Sequence, residues 1–310
     1  MLLKVLLSLL ILVVTCSPTR LLRRELVDYP LAVCNDGTRA AYFYSEHDLH
    51  ADHVLIHLQG GGSCFSAETC AARCASHPHL CTSDQAEYTD LSHTMWSEDP
   101  TENPPFHNFG KVLVAYCSSD LHSGTREPSD ETNGYFMHGR HIIEAVMDDI
   151  IKHKPNVDKI KQVVLMGSSA GAFGVDFNCD FVADKFLAAN LDIDVRCIAD
   201  SGDFYPAWIH LEDCDPYQLG EIAHQFWQSK GDQSCFDSVD PPGLECLIFS
   251  SAYPYTQTPF MVVNHYIDRH PDLEGPCTPP HNQDQEFWDT FEQEKYSLAL
   301  TFLEVTFTKH

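Results

Sequence analysis

An apolar run, Val163-Val164-Leu165-Met166, enters Gly167-Ser168-Ser169-Ala170-Gly171, and a segment carrying Phe177, Phe181, Val182 and Phe186 leaves it. A chain built this way must turn sharply from a buried strand into a helix. The small residues flanking Ser169 permit that turn and leave its hydroxyl clear of the sheet on a strained backbone. In isolation Gly-x-Ser-x-Gly is a weak signal, compatible with any glycine-rich turn. The strand before it and the helical pattern after it supply the context of a nucleophile elbow, so the expected chemistry is that of a serine hydrolase.

The surrounding pattern agrees. Short apolar or alternating runs at Val54–Leu58, Val112–Tyr116, Val163–Met166, Val195–Ala199 and Phe260–Val263 predict strands. Cys34-Asn35-Asp36-Gly37 followed by Ala40 to Tyr44 predicts a hairpin at which the sheet begins, because Asp-Gly supplies the positive φ of a tight turn. Between strands, Gly139 to Ile151 repeats Ile142, Ile143, Val146, Ile150 and Ile151 at helical spacing, with Arg140, Glu144, Asp148 and Asp149 assigned to the opposite face. Strands alternating with amphipathic helices imply an α/β protein, a mostly parallel sheet covered on both faces. Such sheets carry their chemistry beyond the carboxyl ends of the strands, where Ser169 falls.

With 310 residues and 44% hydrophobic composition, the chain can bury a sizeable core. Lys4 followed by an apolar run from Val5 to Val14, with small residues around Cys16 and Ser17, predicts a signal peptide over 1–17 and a single domain over 18–310. That run is too short to span a bilayer, so a secreted, extracellular protein without stable membrane insertion is expected. Of 13 cysteines, Cys16 falls in or beside the signal segment and the other twelve can pair. Cys64, Cys70, Cys74 and Cys81 lie close together, but their uneven spacing favours disulfides over zinc, with connectivity left open. Nothing calls for a cofactor or metal ion. A net charge of −26 argues against nucleic acid as a partner and would repel polyanionic glycans at neutral pH. The 18 histidines would relieve that repulsion in acid.

Acyl transfer from a serine requires a base, an acid that orients it, and amide donors for the developing oxyanion. Gln59-Gly60-Gly61-Gly62-Ser63 follows the strand at Val54, and its glycines let backbone N–H groups face a site unobstructed. The amide of Ala170, next to the nucleophile, is the other donor. For the acid, Asp200 at the end of the strand from Val195 and Asp268 after the strand from Phe260 are equally placed by spacing.

Together these segments resemble the Notum and pectin acetylesterase family of secreted serine esterases with the α/β-hydrolase fold, and are closer to its Notum branch. The likeness rests on Cys34-Asn35-Asp36-Gly37, Leu58-Gln59-Gly60-Gly61-Gly62-Ser63-Cys64, Tyr116-Cys117-Ser118-Ser119-Asp120, Gly167-Ser168-Ser169-Ala170-Gly171, Ala199-Asp200-Ser201-Gly202 and Pro259 to Val263. It implies Ser169 as nucleophile, Asp268 rather than Asp200 as triad acid, and Gly61, Gly62 and Ala170 as the oxyanion residues. The implied substrate is an acylated protein, such as a palmitoleoylated Wnt, or an acetylated glycan. Two departures stand out. Gly62-Ser63 occupies the place of a Trp-Tyr pair, removing an aromatic wall of the acyl pocket, with Phe65, Phe173 and Phe204 the nearest aromatics to fill it. The family's Cys-x-x-His segment has no counterpart after the helix expected from Phe287 to about Phe302, and His270 and His281 read as solvated surface histidines. The expectation is therefore a chain incomplete at its C-terminus, or, if complete, an inactive binding protein.

Overall fold

A computed structural model describes residues 21–45, 51–84, 94–202, 218–241 and 243–263. The expected signal segment, Asp268, His270, His281 and the expected helix from Phe287 lie outside the described residues.

Seven strands form one sheet: β1 (Leu21–Glu25), β2 (Ala41–Ser45), β3 (His53–Leu58), β4 (Gly110–Val114), β5 (Gln162–Ser168), β6 (Asp194–Asp200) and β7 (Phe260–Val263), in the order β1-β2-β4-β3-β5-β6-β7. β1–β2 and β2–β4 pair antiparallel, and every other pairing is parallel. The parallel centre explains its own sequence. Val54, Leu55, Ile56 and Leu58 on β3 and Val163, Val164 and Leu165 on β5 are buried, as central strands covered on both faces must be.

The sheet does not begin at the hairpin, as the sequence suggested, but at β1, whose Leu-Leu-Arg-Arg-Glu lacks an apolar alternation. Its pairing, Leu22 with Tyr44 and Arg24 with Tyr42, comes from the partner strand. The Asp36-Gly37 turn itself forms. Gly37 has φ +83 and closes on the Cys34 carbonyl at 2.9 Å, and Val33 bridges Arg39.

Three helices carry the architecture: α1 (Ala67–Ser76), α2 (Gly139–His153) and α3 (Ala170–Ala188). α2 buries Ile142, Ile143, Val146 and Ile150 against the sheet as its spacing demands. One residue assigned to its polar face is corrected. Asp149 is only 2% exposed and accepts hydrogen bonds from Tyr42 Oη at 2.8 Å and Arg24 Nη2 at 3.1 Å. A helical wheel cannot foresee this, because the partners arrive from the antiparallel edge of the sheet.

Among the described residues five disulfides join Cys34–Cys117, Cys64–Cys70, Cys74–Cys81, Cys179–Cys197 and Cys235–Cys246. Each of the four clustered cysteines is thus in a disulfide, which decides against zinc there. Cys179–Cys197 ties α3 to β6, so the helix leaving the elbow is fixed to the neighbouring strand. Among the described residues no helix is long and apolar enough to cross a membrane.

Candidate active site

β5 ends at Ser168 and α3 starts at Ala170, so Ser169 alone makes the turn, at φ 55 and ψ −124. A non-glycine residue held there costs about 1–3 kcal/mol and persists only when its surroundings dictate it. They do so by close approach. A Cβ on Gly167 would lie 2.2 Å from the Gly171 carbonyl oxygen, and one on Gly60 would lie 2.5 Å from that of Ser168 and 3.2 Å from Ser169 Cβ. The Ser169 N–H donates to the Asp200 carbonyl at 3.0 Å, tying the elbow to β6. Gly60, the first residue of the Gly60–Gly62 loop, therefore lies directly against the nucleophile candidate, and Leu58 and Gln59 just before it abut Gly171 at the start of α3.

Gly61 and Gly62 have φ +141 and +71, values that a side chain would disfavour. The loop is held from beneath by a buried network. Tyr116 N–H donates to Gln59 Oε1 at 3.0 Å, Gln59 N–H donates to the Val114 carbonyl at 3.2 Å, and His122 Nε2 donates to the Gln59 carbonyl at 2.9 Å. His122 packs on Tyr116 with ring centroids 4.5 Å apart and also meets Gly174 of α3, where a Cβ would come within 2.8 Å of the ring. One imidazole thus bridges the glycine loop and the helix that carries Ser169.

His122 ends a strained segment in which Ser119, Leu121 and His122 have φ 54, 55 and 59. That segment is organised around Asp120, which accepts from Ser118 Oγ at 2.6 Å and from the Gly139 N–H that opens α2 at 2.8 Å. A carboxylate at a helix N-terminus is favoured by the helix dipole. Tyr116-Cys117-Ser118-Ser119-Asp120 carried the family likeness in the sequence, but its structural task and the part played by His122 were not read there.

These two buried groups set opposing pH dependences. Burial pushes the His122 imidazole down to about 4. Its stabilising contribution is therefore full above the unfolded value near 6.5 and is lost as pH falls toward 4, amounting to about 3 kcal/mol. Burial pushes the Asp120 carboxyl up to about 6, against the hydrogen bonds from Ser118 and Gly139. Its contribution is full below the unfolded value near 3.9 and is lost as pH rises through 6. His122→Phe keeps a ring against Gly174 and leaves Asp120 unopposed. Its unfolding free energy should therefore rise relative to wild type between pH 7 and 4.5, by about 2 kcal/mol in urea titrations. Parallel stability curves over that range would show that His122 is not held neutral.

Of the sequence candidates, Ser169 and Ala170 stand at the elbow, and Gly60, which precedes Gly61 and Gly62 in the loop, is the glycine that meets Ser169. Asp200 sits opposite Ser168 in the β5–β6 register and is engaged locally, accepting from Ser168 Oγ at 3.3 Å and Ser201 Oγ at 2.8 Å. β7, which precedes Asp268 in the chain, pairs with β6 so that Val263 lies beside Asp200 at the same carboxyl edge. Phe173 packs, half-buried, on the cluster of Cys64, Tyr116 and Ala170, whereas Phe204 lies outside the described residues. Arg73 was not foreseen at all. Its Nη1 is 3.4 Å from the position of a Cβ on Gly62.

A parallel sheet with a strand–serine–helix elbow facing a glycine loop defines an α/β-hydrolase. The pectinacetylesterase family matches residues 20–301, and the chain belongs to that family. It is similar to the palmitoleoyl-protein carboxylesterase NOTUM of Drosophila melanogaster, 32% identical over 277 residues, covering 84% of this chain and 40% of that protein. It is also similar to pectin acetylesterase 4 of Arabidopsis thaliana, 28% identical over 245 residues, covering 76% of this chain and 57% of the relative. The chain thus spans about half the length of the curated relatives it matches. Among solved structures, the Wnt deacylase Notum from Drosophila superposes with a TM-score of 0.76 at 28% identity, covering 92% of this chain and 82% of that one.

Proposed function

We propose that the protein is a secreted serine carboxylesterase that removes an acyl group from a protein or glycan through an acyl-Ser169 intermediate. The observation that carries this reading is Ser169 held at φ 55 against Gly60, at the head of the Gly60–Gly62 loop. As its hydroxyl gives its proton to a base and its oxygen adds to the ester carbonyl carbon, the carbonyl oxygen becomes an oxyanion stabilised by the amides of Gly61, Gly62 and Ala170, and the base returns the proton to the departing alcohol. Expulsion of the alcohol leaves the acyl-enzyme, and water then releases the acid. Asp268 is assigned as the carboxylate that orients the base. Five disulfides support an oxidising, extracellular destination.

The relatives offer two substrate classes, lipidated proteins of the Wnt kind and acetylated pectin. We favour the lipidated protein, on the greater similarity to the Notum sequences. Hydrolysis rates across nitrophenyl esters from C2 to C12 separate the two, and a sharp preference for acetyl would sink the lipid reading. Position 62 should shape that profile. Gly62→Trp narrows the pocket and should shorten the preferred acyl chain by steps of about 1–3 kcal/mol per methylene excluded. An unchanged chain-length profile would remove position 62 from the pocket lining.

A further inference from the structure

Arg73 sits in α1, pinned on either side by the Cys64–Cys70 and Cys74–Cys81 disulfides. Its Nε donates to Ser119 Oγ at 2.8 Å, and Ser119 donates in turn to Asn35 Oδ1 at 2.7 Å. The guanidinium lies over the Tyr116 ring at 5.6 Å. Its Nη2 is enclosed and has no hydrogen-bond partner. Arg23, Arg24, Arg126 and Arg196 meet carboxylates, while Arg39 and Arg140 donate to carbonyl and amide oxygens. Among the described residues Arg73 meets no carboxylate, and the neighbouring ionisable group that acts on it is Tyr116.

An unpaired cation in such surroundings is costly, and an enclosed donor without an acceptor calls for a physical reason. Its location supplies one. Gly62 has no side chain to stand between the guanidinium and the loop, and Nη1 comes within 3.4 Å of where that side chain would begin. A fixed positive charge stabilises negative charge over several ångströms, without contact and without reorganisation.

We propose that Arg73 makes the Gly60–Gly62 loop an anion site, its fixed charge reinforcing the Gly61 and Gly62 amides toward the oxyanion of the acyl-transfer step. This rests on the esterase reading for its catalytic consequence but not for the anion site itself. Arg73 acts through the loop and is a positioning and electrostatic residue, held in place by two disulfides, Ser119 and Tyr116.

Two measurements decide it. On nitrophenyl acetate, Arg73→Gln should lower kcat by about 10- to 100-fold with KM nearly unchanged, below the cost of deleting a direct oxyanion donor. Arg73→Lys, which keeps the charge but loses the bond to Ser119, should recover most of that loss. Equal impairment of both variants, with a matching fall in melting temperature, would mark Arg73 as structural and overturn the proposal. The second measurement needs no turnover. Bromide soaked into crystals of the wild type should give an anomalous peak at the Gly61–Gly62 amides that is absent in Arg73→Gln. A peak in both proteins, or in neither, would overturn the anion site. Absence of hydrolysis by the wild type would instead count against the esterase reading, and the bromide result would still decide the role of Arg73.

Discussion

Ser169→Ala should leave the fold intact and reduce both ester hydrolysis and fluorophosphonate labelling to background, a loss of about 10⁴-fold or more. The fold is expected to survive because the substitution removes only a hydroxyl. The Ser169 side chain makes no capping hydrogen bond to α3, so its loss orphans no buried partner there. Alanine also carries the same Cβ into φ 55, so the strain of the turn is already present in the wild type. Rapid labelling of the wild type would eliminate the alternative of a non-catalytic secreted binding protein, because an unactivated serine hydroxyl scarcely reacts with such probes. Labelling that persisted in the alanine variant would sink the assignment of Ser169. Thermal unfolding of the two proteins should superpose to within a few degrees, about the shift expected of a substitution worth under 1 kcal/mol.

What could be read beforehand was the part encoded by local pattern. β7 was expected at Phe260–Val263 and lies there, although Met261 and Val263 are exposed, and β5 contains the predicted Val163–Met166, the unbroken apolar run of a buried parallel strand. α2 was legible from its isoleucine spacing, and the elbow from its glycines. What could not be read depends on partners distant in sequence. β1 is a strand because it pairs with β2, not because Leu-Leu-Arg-Arg-Glu resembles one. Asp149 is buried because Arg24 and Tyr42 meet it across more than a hundred residues.

The site divides in the same way. Ser169, Ala170, Gly61 and Gly62 can be nominated from the sequence because small residues at fixed offsets are what the proposed chemistry requires of a backbone. His122 and Arg73 cannot be nominated that way, because what distinguishes them is what they touch, the Gln59 carbonyl in one case and the neighbourhood of Gly62 in the other. A signal for His122 did exist. It lies two residues past Asp120, within a segment already singled out, but nothing in the spacing said which way its ring would face.

Gly171→Ala should be the most destabilising of the small substitutions near the site, costing more than about 3 kcal/mol and removing activity together with the fold around the elbow. Helix propensity alone predicts the opposite, since alanine is better than glycine by about 1 kcal/mol inside a helix. The steric term decides. A Cβ at Gly171 would lie 2.0 Å from the Leu58 carbonyl oxygen and 2.9 Å from its carbon. Neither atom can withdraw, because Leu58 is paired to Val114 of β4 on one side and Gly167 of β5 on the other, at the centre of the sheet. Relief must come from α3 moving outward. That carries Ser169 and the Ala170 amide away from the Gly60–Gly62 loop, so activity should fall even in molecules that remain folded. Gly134→Ala is the control. It has φ +77 but nothing within 4 Å, so only the backbone penalty of about 1–2 kcal/mol applies, with no effect on kcat. Urea denaturation of the two variants measures the difference. Equal costs at positions 171 and 134 would mean that the contact between α3 and the end of β3 is looser than drawn, and that the elbow is held in its strained turn by something other than close packing on Leu58.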